Sequence, residues 1–185
     1  MKTILYTIIH CFFATSALSG TWNSTAHFGF SVESESSVGF KGVSGSMAFL
    51  DAAYNLAPGD KLSLGVRSLM QGGRRPQQEY YRMGAGPMIG YAVSRGWFVH
   101  GSLTKFQETG LDDQGEKVYK SSGQTVMFGW ERIFTISRRM EIAWGGFFTR
   151  HSGTLSKTAQ INTLQSARSN VGGSQGVELA LRMSL

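Results

Sequence analysis

The chain has 185 residues, of which 24 are glycine, with 12% aromatic and only 16% charged side chains. That length suits one domain, and a mean hydropathy of −0.13 excludes a bundle of membrane-spanning helices. The formal charge of +6 is carried by basic residues scattered among acids. No run would line a phosphate backbone, which excludes a nucleic-acid surface.

Lys2 opens the chain and a mostly apolar run from Thr3 to Thr15 follows, with Ile4, Leu5, Ile8, Ile9, Phe12 and Phe13. Small residues come next, and Ala17-Leu18-Ser19 supplies a cleavage site before Gly20. This order predicts a signal peptide over 1–19 and a mature domain over 20–185, because the run is too short to cross a bilayer as a helix. Cys11 is the only cysteine and lies inside that segment. The mature domain therefore has no disulfide, no thiol nucleophile and no cysteine metal ligand.

Beyond the leader, residues alternate in character with a period of two, the signature of strands. Trp22, Ser24, Ala26, Phe28, Phe30 and Val32 share one face, while Asn23, Thr25, His27, Gly29, Ser31 and Glu33 share the other. The pattern recurs over 48–56, 62–67, 83–93, 97–104, 125–134, 140–149 and 177–185. Eight segments of this kind predict an all-β fold, an antiparallel up-and-down barrel whose strands are long enough to cross a membrane.

Short connections are expected at Ala57–Asp60, Ser94–Gly96 and Thr135–Arg138, and long ones at Ser34–Ser46, Gln71–Tyr81, Glu108–Tyr119 and His151–Ser174. Long and short alternate strictly, as tight periplasmic turns and longer external loops do. The less apolar face is rich in Gly, Ser, Thr and Ala and poor in charge. That suits a narrow lumen better than a wetted exterior. Trp22, Tyr54, Tyr91, Trp97 and Phe134 stand near the short turns, where an interfacial aromatic girdle would form. Apolar residues occupy every second position from Val177 to Leu185.

These features resemble the small eight-stranded outer-membrane proteins typified by outer membrane protein X and the membrane domain of outer membrane protein A. The terminal alternation is similar to the assembly signature of that class, although Leu185 replaces its usual terminal aromatic. The resemblance implies a bacterial outer-membrane location, with membrane lipid and lipopolysaccharide as the surrounding partners. It implies no activity, since this scaffold carries many.

Three residue groups could carry function. Glu131, Glu141 and Arg182 fall on the lumen face near the short-turn end and are expected to pair, because a buried unpaired charge is costly. Asp51, Arg67, His100 and Glu178 share that face and could extend the cluster. In the second long loop, Arg74 and Arg75 with Tyr80 and Tyr81 combine charge and aromatic area, a mix able to bind sugars or phosphates.

The third group is Arg150-His151-Ser152-Gly153-Thr154, which resembles part of the lipid A 3-O-deacylase motif. That resemblance implies an acyl hydrolase using His151, Ser152 and Glu178, although Gly153 stands where that family has its serine. A secreted soluble barrel holding an apolar ligand is a further alternative. No pair of His10, His27, His100 and His151 sits at metal-ligand spacing, so neither a metal nor a cofactor is expected.

Overall fold

The computed structural model describes residues 22–35, 40–55, 61–75, 78–94, 96–112, 114–157 and 169–184. The leader at 1–19 lies outside the described residues. Eight strands follow in chain order: β1 (Trp22–Glu35), β2 (Phe40–Asn55), β3 (Leu62–Arg75), β4 (Gln78–Ser94), β5 (Trp97–Leu111), β6 (Lys117–Ser137), β7 (Met140–Lys157) and β8 (Ser169–Ser184). Each pairs antiparallel with the next, and β1 pairs with β8 to close the barrel. Closure leaves no edge strand, so the ladder satisfies its own backbone groups.

The alternation read from the sequence sets the two faces. Phe28, Phe30, Val66, Met70, Ile89, Leu103, Val126, Phe128, Phe148 and Leu179 are exposed on the outside. The intervening residues, among them Thr25, His27, Asp51, Arg67 and Glu131, are buried inside. A barrel that is apolar outside and polar inside is built for lipid, because water would favour the reverse. This corrects the soluble ligand-binding alternative: the apolar face turns outward and encloses no ligand.

The aromatic residues expected at the short-turn end do gather there. Trp22 pairs across the ladder with Tyr54, ring centroids 5.3 Å apart. Trp97 and Trp130 tilt against each other and Trp130 meets Trp144 edge to face, each pair with ring centroids 5.9 Å apart.

The loops differ from expectation. Strands of 14 to 21 residues exceed the 9–11 or so that a tilted strand needs to cross the hydrocarbon. Much of each expected long loop is therefore strand. Strand β3 runs to Arg75 and β4 begins at Gln78, with Gly72 opposite Tyr81 and Arg74 opposite Glu79. Between β5 and β6 the chain turns over 112–116. There the Asp112 carboxylate accepts from the Gln114 and Glu116 amides at 3.0 and 2.8 Å, and Gly115 takes a φ of 80°. Polarity alone reads these segments as loops, because strand that projects beyond the bilayer loses the apolar residues that mark it.

Glycines on the inner face make room for large neighbours. A Cβ at Gly129 would lie 2.3 Å from His100 Cε1, and one at Gly90 would lie 2.1 Å from Phe98 Cζ. Gly129→Ala should therefore displace the His100 ring and destabilise the barrel by about 1–3 kcal/mol, the usual cost of overpacking. Urea unfolding in detergent micelles, followed by tryptophan fluorescence, measures this as a lowered midpoint.

Candidate functional site

The lumen contains two ionic layers separated by an apolar one. Nearer the short-turn end, Arg67 on β3 donates to Asp51 on β2 through Nε at 2.7 Å and Nη2 at 2.5 Å. The two residues are direct ladder partners, so register alone brings them together. Arg67 Nη1 also donates to His100 Nδ1 at 3.0 Å. Because an arginine can only donate, His100 carries its proton on Nε2, which donates to Glu178 Oε1 at 3.2 Å. His27 on β1 lies at the centre. Its Nε2 donates to Asp51 Oδ2 at 3.0 Å, and its Nδ1 faces Glu131 Oε1 at 2.9 Å and Glu178 Oε2 at 3.3 Å. Arg182 Nη2 donates to Glu131 Oε2 at 2.5 Å, with its guanidinium 3.9 Å from the centre of the Phe98 ring.

Above this layer, Met47, Phe49, Leu69, Met127 and Phe147 form a buried apolar cluster. Phe49 and Phe147 meet edge to face at 5.7 Å, and the Arg67 guanidinium lies 5.0 Å from the Phe49 ring centre. The second ionic layer follows. Arg82 on β4 donates to Glu108 on β5 at 2.9 and 2.5 Å and to Gln71 on β3 at 2.9 Å. Tyr119 donates to the other Glu108 oxygen at 2.7 Å, and His151 Nδ1 lies 3.4 Å from Arg82 Nη1.

The expected trio of Glu131, Glu141 and Arg182 is divided. Glu131 and Arg182 pair directly, whereas Glu141 accepts from Thr135 Oγ1 at 3.3 Å at the rim. Glu141 and Arg182 nevertheless both line a recess of about 290 Å³ at the short-turn end, with Asn23, Asn55 and Ser63. Asp51, Arg67, His100 and Glu178 all join the lower layer. His27 was not singled out in the sequence, although its position on the lumen face of the first segment was the signal. Arg82, Glu108 and Tyr119 went unread because the segments that hold them lack apolar alternation.

Two of the functional groups are rearranged. Tyr80 is not a surface residue: strand geometry places it inside, fully buried with Arg82 near its ring, while Tyr81 faces out and is 53% exposed. Arg74 is exposed, and the Arg75 side chain lies outside the described residues. The hydrolase set does not assemble. His151 is buried in the upper layer, the adjacent Ser152 is exposed on the outer face, and Glu178 belongs to the lower layer with His100. Adjacent strand residues point to opposite faces, so His151 cannot activate Ser152.

No family model and no curated protein matches the sequence. Solved structures do. Neisserial surface protein A superposes with a TM-score of 0.62 over 89% of this chain and 99% of its own, at 12% identity. The fold is that of a small outer-membrane barrel. The attachment invasion locus protein of Yersinia pestis, in complex with the heparin analogue sucrose octasulfate, matches with a TM-score of 0.50 at 12% identity, covering 90% of this chain and 100% of its own. Outer membrane protein OprG of Pseudomonas aeruginosa matches with a TM-score of 0.49 at 10% identity, covering 90% and 96%.

Removing one partner of a buried pair leaves a charge uncompensated in a low-dielectric interior. Arg67→Met, which keeps much of the side chain's bulk and strands Asp51, should cost about 3–5 kcal/mol. Thermal unfolding in micelles reads this as a clearly lowered melting temperature.

Proposed function

We propose that this protein is a resident of the bacterial outer membrane that acts through its outer surface, as an anchor for surface contacts and for lipopolysaccharide. The filled lumen carries this reading. An eight-stranded barrel has just enough interior for side chains, and here two paired ionic layers and an apolar layer occupy it. Solutes have no route through such a stack.

The outer wall supports the second half of the proposal. Arg74, Lys105, Lys120 and Arg150 are exposed on β3, β5, β6 and β7. Each lies beyond an exposed apolar residue, respectively Met70, Leu103, Val126 and Phe148, on the side away from the short turns. Cations spread along that outer wall would meet the phosphates of a lipopolysaccharide leaflet, whose attraction is long-range and salt-dependent. The crystallised complex of the Yersinia barrel with a sulfated sugar gives a precedent for polyanion contact on this fold. The polar segment at 158–168, with Arg168, lies outside the described residues.

Reconstituted in planar bilayers, the protein should give no stable ion conductance, and steady unitary currents would overturn the plugged-barrel reading. The outer-leaflet contact has its own test. Lipopolysaccharide should raise the melting temperature of the wild type at low salt, and K105E/R150E should lose most of that gain. An equal gain in the double variant would remove lipopolysaccharide as the partner of this face.

A further inference from the structure

We propose that the lower lumen layer is a binding site for one divalent cation of the zinc type, held by His27 Nδ1, Glu131 Oε1 and Glu178 Oε2. The barrel brings these residues together from β1, β6 and β8, which no sequence spacing reveals. All three side chains are buried to 1% exposure or less, and none of the three atoms makes a hydrogen bond. One ligand atom from each of these residues and one from His100 all lie within 4.8 Å of one another.

The arrangement around the three atoms favours a metal. Each ligand residue is held by an outer partner through its other polar atom. Asp51 accepts from His27 Nε2, Arg182 donates to Glu131 Oε2, and His100 donates to Glu178 Oε1. Such outer partners orient metal ligands, and a histidine ligand commonly donates its remaining N–H to a carboxylate, as His27 does to Asp51. The inward-facing lone pairs are then left to converge on one point. Glu131 Oε1 and Glu178 Oε2 stand 2.9 and 3.3 Å from His27 Nδ1. Neighbouring donors around a tetrahedral zinc ion with bonds of about 2.0–2.1 Å are separated by about 3.3–3.4 Å, so Glu178 Oε2 already stands at that spacing and Glu131 Oε1 need move outward only by about 0.4 Å.

Charge gives an independent argument. Asp51, Glu131 and Glu178 face Arg67 and Arg182, so three carboxylates meet two guanidiniums when both histidines are neutral. A third positive charge balances that layer, and a metal at Nδ1 would supply it in place of the second proton of a charged His27. A single proton on Nδ1 would be directed along one N–H bond, whereas two oxygens share this nitrogen and neither accepts a hydrogen bond from it. One nitrogen and two carboxylate donors suit zinc and its late first-row neighbours rather than the all-oxygen preference of calcium or magnesium. His100 stays outside the coordination set, because Arg67 occupies its Nδ1 and the Nε2 proton is committed to Glu178. The recess lined by Asn23, Asn55, Glu141 and Arg182 opens at the short-turn end and reaches Arg182, which donates to the ligand Glu131.

The test uses the full chain, refolded in detergent micelles, stripped with chelator and titrated with Co²⁺. The wild type should bind one equivalent with visible d–d absorption, and Zn²⁺ should bleach it and raise the melting temperature. His27→Gln and Glu178→Gln, checked for folding by circular dichroism, should lose the absorption. His151→Ala should retain it, since that ring belongs to the other layer. A wild type with neither the Co²⁺ bands nor the Zn²⁺-dependent melting shift overturns the proposal, whether or not the variants fold. Absorption that persists in both folded variants, or vanishes equally in His151→Ala, overturns it too.

Discussion

A chain that crosses lipid must satisfy every backbone hydrogen bond within itself, and the pairing of β1 with β8 meets that demand here. The remaining architecture follows from this closure. Closing eight strands leaves an interior too narrow for water to flow through and too enclosed for a polar group to stay unpaired. Half of each strand's side chains must then solve a packing and charge problem among themselves. The other half face hydrocarbon and need only be apolar.

The lumen solves its problem in layers. Direct cross-strand partners supply the strongest contacts: Asp51 opposite Arg67 in the lower layer, and Arg82 opposite Glu108 in the upper. The apolar cluster stands between the two networks, beside the buried hydroxyls of Ser102, Thr104, Thr125 and Thr149. Inner-face glycines complete the packing, because a ring such as His100 needs the space that a side chain at Gly129 would fill. Interior charge pairs link neighbouring strands, and one histidine nitrogen faces two carboxylate oxygens among them.

Much of this was legible in the sequence because a period of two assigns faces without knowledge of the fold. Thr25, Asp51, Arg67, Glu131 and Glu178 could be placed in the lumen from parity alone, and the eight strands followed from the same count. What escaped was of two kinds. Heights around a barrel depend on stagger, so parity could not say that His27 and His100 converge while Glu141 stays at the rim. Strand beyond the bilayer loses its apolar face, so Gln71, Tyr80 and Glu108 read as loop and Arg82 falls just before the alternating segment at 83–93, although all four build the second ionic layer. His151 and Ser152 show the converse: neighbours in sequence, they face opposite sides of the wall.

The central claim is that the two faces divide as described, with an interior filled by side chains. Nuclear Overhauser contacts between protein side chains and the acyl chains of the surrounding detergent test it most directly. The account predicts acyl contacts at Phe28, Val66, Leu103, Phe128, Phe148 and Leu179, and none at Phe49, Leu69, Met127 or Phe147. Acyl contacts at the latter four would contradict the inward packing of the apolar layer, and with it the plugged barrel.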